Sequence, residues 1–145
     1  MVGPILIVED NPDDEALILR ALKKCNVKNE VEVVRDGAEA LDYLFRNGQF
    51  ATRATGDPTV VLLDIRLPKI NGLEVLERVR ADKKTRRVPV VMLTSSDEQE
   101  DMIRSYDLGC NSYVRKPVEF DKFMEAIGSL GLYWLLVNEP PPQTA

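Results

Sequence analysis

The residues able to do chemistry stand just beyond short apolar runs. Glu9 and Asp10 follow Ile5-Leu6-Ile7-Val8, and Asp64 follows Val60-Val61-Leu62-Leu63. Thr94 and Ser95 follow Val90-Val91-Met92-Leu93, and Lys116-Pro117 lies just beyond Ser112-Tyr113-Val114. If these runs are neighbouring strands, three carboxylates converge in one cleft, and their mutual repulsion raises their proton affinity unless a cation is present. Carboxylates without histidine or cysteine favour a hard, oxygen-seeking ion, and Mg²⁺ binds through a few carboxylates plus phosphate oxygens. The Asp64 carboxylate could then act as a nucleophile and form an acyl phosphate. Mg²⁺, the Lys116 ammonium and the Thr94 hydroxyl would share the charge on the phosphoryl oxygens. The chain contains no histidine. That removes Ser-His-Asp and Cys-His catalysis, histidine-ligated metals and any histidine phosphorylated within this chain.

These residues need elements to position them. Ile18 and Leu22, with Cys25, lie at helical spacing after the first run. Val31-Glu32-Val33-Val34 precedes Ala38, Leu41, Leu44 and Phe45; the third run leads, after Pro68, to Leu73, Leu76 and Val79. The fourth leads to Met102, Ile103 and Tyr106, and Ser112-Tyr113-Val114 leads to Phe120, Phe123, Met124 and Ile127. Runs 1, 3 and 4 are continuously apolar, as in strands buried on both faces of a parallel sheet covered by helices. Five such β-α units predict an α/β fold: a five-stranded parallel sheet, doubly wound, flavodoxin-like, with strand order 2-1-3-4-5. In an open parallel sheet ligands bind beyond the carboxyl ends of the strands, near the point where strand order reverses. The acidic and basic residues above stand there.

The 145 residues suit one domain, expected over 1–138, with a disordered tail at 139–145 where Pro140-Pro141-Pro142 forbids a helix. The longest loop is 47–58, polar and rich in turn formers. A net charge of −5 gives little support to a nucleic-acid partner. No stretch approaches the roughly 20 apolar residues of a membrane span, and no basic leader precedes an apolar run, so a cytoplasmic location is expected. Cys25 and Cys110 lie far apart and read as free thiols.

The five motif positions together resemble the receiver domain family of two-component signalling over about residues 4 to 130. They are Glu9-Asp10, Asp64 in LLDIRLPKING, Thr94-Ser95 in VVMLTSSD, Tyr113, and Lys116-Pro117. The resemblance implies phosphorylation of Asp64, with Mg²⁺ held by Asp10, by Glu9 largely through water, by Asp64 and by the backbone carbonyl of Arg66. It implies a cis peptide before Pro117 that aims Lys116 inward, and a switch in which Thr94 moves toward the phosphate and Tyr113 follows. A receiver is not an enzyme in the ordinary sense; it catalyses its own phosphorylation and slow dephosphorylation. Arg66 and Ser96 occupy positions that tune dephosphorylation in the family. The long loop before the third strand, Tyr106-Asp107-Leu108-Gly109 and Leu132-Tyr133-Trp134-Leu135 are similar to the small regulators paired with phytochromes. The implied partner is a histidine kinase, and the narrower resemblance implies one of the bacteriophytochrome type, since the donor histidine must come from another chain.

Each residue also has a plainer reading. Asp10 could be a solvated loop or cap residue, Asp64 a cap, Thr94 a cap that Ser96 or Asp97 would serve equally, Lys116 a surface lysine and Tyr113 a packing residue. In the last helix Phe120, Phe123, Ile127, Leu130, Trp134 and Val137 repeat at spacings of three and four, and residues 132–137 are apolar all round. A homodimer interface through Leu130, Tyr133, Trp134 and Val137 is expected there, with folding back onto the domain as the alternative. Three other classes share parts of the pattern. An aspartate-nucleophile phosphatase needs a second Asp where Arg66 stands. A flavin protein needs a hydroxyl- and glycine-rich phosphate loop where Glu9-Asp10-Asn11-Pro12-Asp13-Asp14 would repel a phosphate. A receiver acting as a binding module without phosphorylation remains.

Overall fold

The structure, a computed structural model, describes residues 3–24, 27, 29–53, 56–95 and 99–129, with the backbone alone for 120 and 126–129. The strands are β1 (Ile5–Val8), β2 (Val31–Val34), β3 (Val60–Asp64), β4 (Val90–Thr94) and β5 (Ser112–Arg115). They form one sheet in the order β2-β1-β3-β4-β5, with every pairing parallel, as the sequence predicts. Every residue of β1, β3 and β4 is buried, which is why those runs carry no polar alternation. The edge strands β2 and β5 are only partly covered, and β5 alternates between buried and more open residues.

The helices are α1 (Pro12–Lys24), α2 (Gly37–Phe45), α3 (Gly72–Ala81), α4 (Gln99–Asp107) and α5 (Phe120–Ser129). Successive strand residues face opposite sides of the sheet, and the core divides accordingly. Ile5, Ile7, Leu62 and Leu93 pack with Ile18 and Leu22 of α1 and Phe123 of α5. Leu6, Val8, Leu63 and Met92 pack with Leu41 and Leu44 of α2 and with Leu76 and Val79 of α3. Asn11 caps α1: its Oδ1 accepts from the N–H groups of Asp13 (2.8 Å) and Asp14 (3.1 Å). Pro12 supplies a first helical residue that needs no N–H partner, and the acidic first turn and basic last turn suit the helix dipole.

The apolar stripe of α4 does not face the sheet. Met102, Ile103 and Tyr106 are 37%, 52% and 51% exposed, whereas Ser105 is fully buried. At about 100° per residue, Asp101, Ser105 and Leu108 form the inner face, and the apolar trio is turned away from it. A serine whose Oγ donates to Asp101 O at 2.8 Å leaves no orphaned polar group against the sheet.

The 47–58 loop carries a short 3-10 turn at Gly48–Phe50. Arg53 stacks 4.2 Å over the Tyr43 ring and donates to Tyr43 O at 2.8 Å, so the described part of this loop is anchored rather than merely solvated. Cys110 is free and buried. No helix among the described residues is long and apolar enough to cross a membrane. The domain end at 138, the 139–145 tail, Cys25, Ser96, Asp97 and the interface residues Leu130, Tyr133, Trp134 and Val137 lie outside the described residues.

Candidate functional site: a carboxylate cluster at the strand ends

The end of β1 splits its two acids. Glu9 continues the pairing with β2, its N–H donating to Val34 O at 3.0 Å, and its side chain is wholly buried. Asp10 turns outward and is exposed; the cap of α1 is Asn11, so Asp10 does not serve that role. Asp64, the last residue of β3, is 3% exposed. Carboxylate oxygens of Glu9, Asp10 and Asp64 all lie within 4.8 Å of one another. The strand order therefore brings together the three carboxylates expected to meet.

The turn after β3 is built tightly around Asp64. Ile65 N–H donates to Leu93 O at 3.0 Å, and Gly72 N–H donates to Ile65 O at 2.8 Å. A Cβ on Gly72 would sit 2.1 Å from Asp64 O, so this helix start can approach the strand end only as glycine. Arg66 N–H donates to Asp64 Oδ1 at 3.4 Å. The Arg66 guanidinium points elsewhere, pairing with Asp101 of α4 at 3.2 Å.

Lys116 reaches in from β5. Its N–H donates to Thr94 O at 2.7 Å, and its bond to Pro117 is cis, as the resemblance implied. Its Nζ lies 2.6 Å from Glu9 Oε1, 3.0 Å from Asp14 Oδ2 and 3.1 Å from Asp64 Oδ2, with the side chain 8% exposed. Lys116 is thus no surface lysine. Asp14, in the first turn of α1, was not singled out in the sequence; its place four residues after Asp10, on the helix that starts at the cleft, was the available signal. Thr94 is fully buried at the end of β4, beside half-buried Tyr113; burial raises the pKa of the Tyr113 hydroxyl, against the opposing effect of the nearby Thr94 side chain. The Tyr113 ring lies 6.5 Å from that of Tyr106.

Burial pushes the Glu9 carboxyl up to about 7, and the Asp64 charge adds to that, against the opposing contact with the Lys116 ammonium. Burial also raises Asp64, against the charge of Lys116. Burial alone would lower Lys116, but its bonds to Glu9 and Asp14 and the charge of Asp64 more than offset it and hold the ammonium protonated. The cluster is therefore short of positive charge. Glu9 Oε1 is buried without an aligned hydrogen-bond donor and is met only by the ionic contact of Lys116. Three carboxylates, one of them open to solvent, fit a hard divalent cation with oxygen ligands.

Such a fold and site define a doubly wound α/β domain with a largely buried charged cluster at the carboxyl end of its central strands. The sequence profile of the response regulator receiver domain matches residues 5–128, and the chain belongs to that family. Among solved structures it is similar to the bacteriophytochrome response regulator RtBRR, with 57% identity and a TM-score of 0.88, over 98% of this chain and 86% of that one. The phosphorylated cyanobacterial phytochrome response regulator RcpA is 38% identical with a TM-score of 0.78, over 93% of this chain and 95% of that one. Response regulator Rcp1 of Synechocystis sp. is 34% identical over 90% of this chain and 88% of its own length. A structure of Rcp1 in a Mn²⁺-bound form has a TM-score of 0.77, over 96% of this chain and 99% of that one.

Proposed function

We propose that this receiver takes a phosphoryl group on Asp64 from a phosphohistidine of a partner histidine kinase. The observation that carries the reading is the Lys116 ammonium within 3.1 Å of a buried Asp64 carboxylate at the end of a central strand. An Asp64 carboxylate oxygen attacks the phosphorus, the P–N bond breaks, and the released imidazole takes up a proton. Glu9, Asp10, Asp64 and the carbonyl of Arg66 would hold Mg²⁺, which neutralises charge on the phosphoryl oxygens when bound. Lys116 pairs with one of those oxygens and Thr94 donates its hydroxyl to another. Thr94 sits beside Tyr113, so a move of its hydroxyl toward the phosphate would couple the site to the β5 surface. Water then attacks the phosphorus of the acyl phosphate, and Asp64 and inorganic phosphate are restored.

The message leaves through protein contacts. The 57% identity to a bacteriophytochrome response regulator supports a kinase of that type. The continuous apolar run at 132–137 supports a homodimer through Leu130, Tyr133, Trp134 and Val137; a monomeric mass in light scattering at micromolar concentration, with and without phosphorylation, would remove that part.

For the phosphoacceptor, incubation with a small phosphodonor and Mg²⁺ should label the unmodified chain and leave Asp64→Asn unlabelled. Equal labelling of the two would refute the assignment, and no labelling of either, with kinase also present, would favour a binding module that is not phosphorylated.

A further inference from the structure

The Lys116 ammonium and a divalent cation draw on the same carboxylates. Nζ touches Glu9 and Asp64, and both belong to the three-carboxylate cluster. Two cations on shared ligands repel each other. The third carboxylate on Nζ, Asp14 at 3.0 Å, is outside that cluster. We propose that Asp14 is a positioning residue that gives Lys116 an anion of its own, so that ammonium and divalent cation can occupy the site together. The proposal rests on the metal reading above and goes beyond it by naming what accommodates the second positive charge.

The neighbouring acids of the same turn do not do this. Glu15 pairs with Arg35, and Asp13 is exposed. The backbone of Asp14 is fixed by Asn11 Oδ1 at 3.1 Å, which sets where its side chain can reach. The side chain is 29% exposed, against 8% for Lys116. A buried ammonium cannot stay unpaired at low cost. Without Asp14, Lys116 would remain on Glu9 and Asp64 and compete with the metal for both.

Calorimetric titration of the full chain with Mg²⁺ tests this. Asp14→Asn should bind about threefold to fivefold more weakly, the upper size of a partly exposed ion pair. Asp13→Asn, with the same change of charge one residue away, should stay within about twofold of the unmodified chain. In a Lys116→Met background, Asp14→Asn should change affinity by less than about twofold, because the two effects are coupled. Asp14→Glu should bind like the unmodified chain and serves if Asn at this position fails to fold. Unchanged affinity in Asp14→Asn, an equal loss in Asp13→Asn, or a full loss in the Lys116→Met background would each overturn the role of Asp14. Failure of the unmodified chain to bind Mg²⁺ would instead overturn the metal reading, and this proposal with it.

Discussion

Lys116 Nζ lies 3.1 Å from Asp64 Oδ2, although β5 and β3 are not neighbours and β4 runs between them. The lysine spans that strand end and closes the cluster from above. Its removal leaves Glu9 and Asp64 buried without their counter-charge. Lys116→Ala should therefore lower stability in chelator by about 2–4 kcal/mol, less than the full cost of an orphaned buried charge because Glu9 can take up a proton. Urea denaturation measures this, and added Mg²⁺ should recover part of the loss.

Gly72 decides whether Asp64 can sit where it does. A methyl group there would meet Asp64 O at 2.1 Å, so either the start of α3 or the end of β3 must move. Gly72→Ala should cost about 1–3 kcal/mol in denaturant unfolding and slow labelling of Asp64. Unchanged stability and labelling would mean that this approach is not needed.

The two apolar sets of the last helices should respond oppositely to truncation. Phe123 is fully buried among the β1, β3 and β4 side chains, and Phe123→Ala should cost about 3–5 kcal/mol. Ile103 is 52% exposed on α4, and Ile103→Ser should change thermal or chemical stability by about 0.5 kcal/mol or less. Equal costs would contradict the orientation of α4.

Much of this arrangement was legible in the sequence because continuous burial leaves a strong mark. Ile5–Val8, Val60–Leu63 and Val90–Leu93 could be apolar throughout only in central strands, and that fixed which side chains end at the cleft: Glu9, Asp64 and Thr94. The orientation of α4 was not legible, since a nine-residue helix with one small inner residue leaves Met102 and Tyr106 looking like a core stripe. Asp14 was hidden for a different reason. Its spacing from Asp10 places it near the cleft, but its partner is set by how far Lys116 reaches across β4, which that spacing does not record. Arg53 likewise read as loop polarity, while its stacking on Tyr43 depends on a contact between the loop and α2.

Cys110 should behave as an inert core thiol. Burial pushes it up to about 11, against the charge of Arg80. Its folded value thus exceeds its ordinary one, so the stability it contributes is present below about pH 9 and is lost as pH rises toward 11. In a Cys25→Ser background at pH 8, a thiol-alkylating reagent should modify the folded chain far more slowly than the unfolded one. Comparable rates in the two states would show that the thiol is accessible.

The central claim, that Asp64 carries the phosphoryl group, is tested most directly by locating the modification. Borohydride converts an aspartyl phosphate to homoserine, and peptide mass spectrometry then reads the position. After phosphotransfer from a kinase or a small donor with Mg²⁺, homoserine is expected at position 64, within the segment Leu62-Leu63-Asp64-Ile65-Arg66, and at no other aspartate. Homoserine at Asp10 or Asp14, or an acid-stable phosphate on Thr94 or Ser95, would contradict the account.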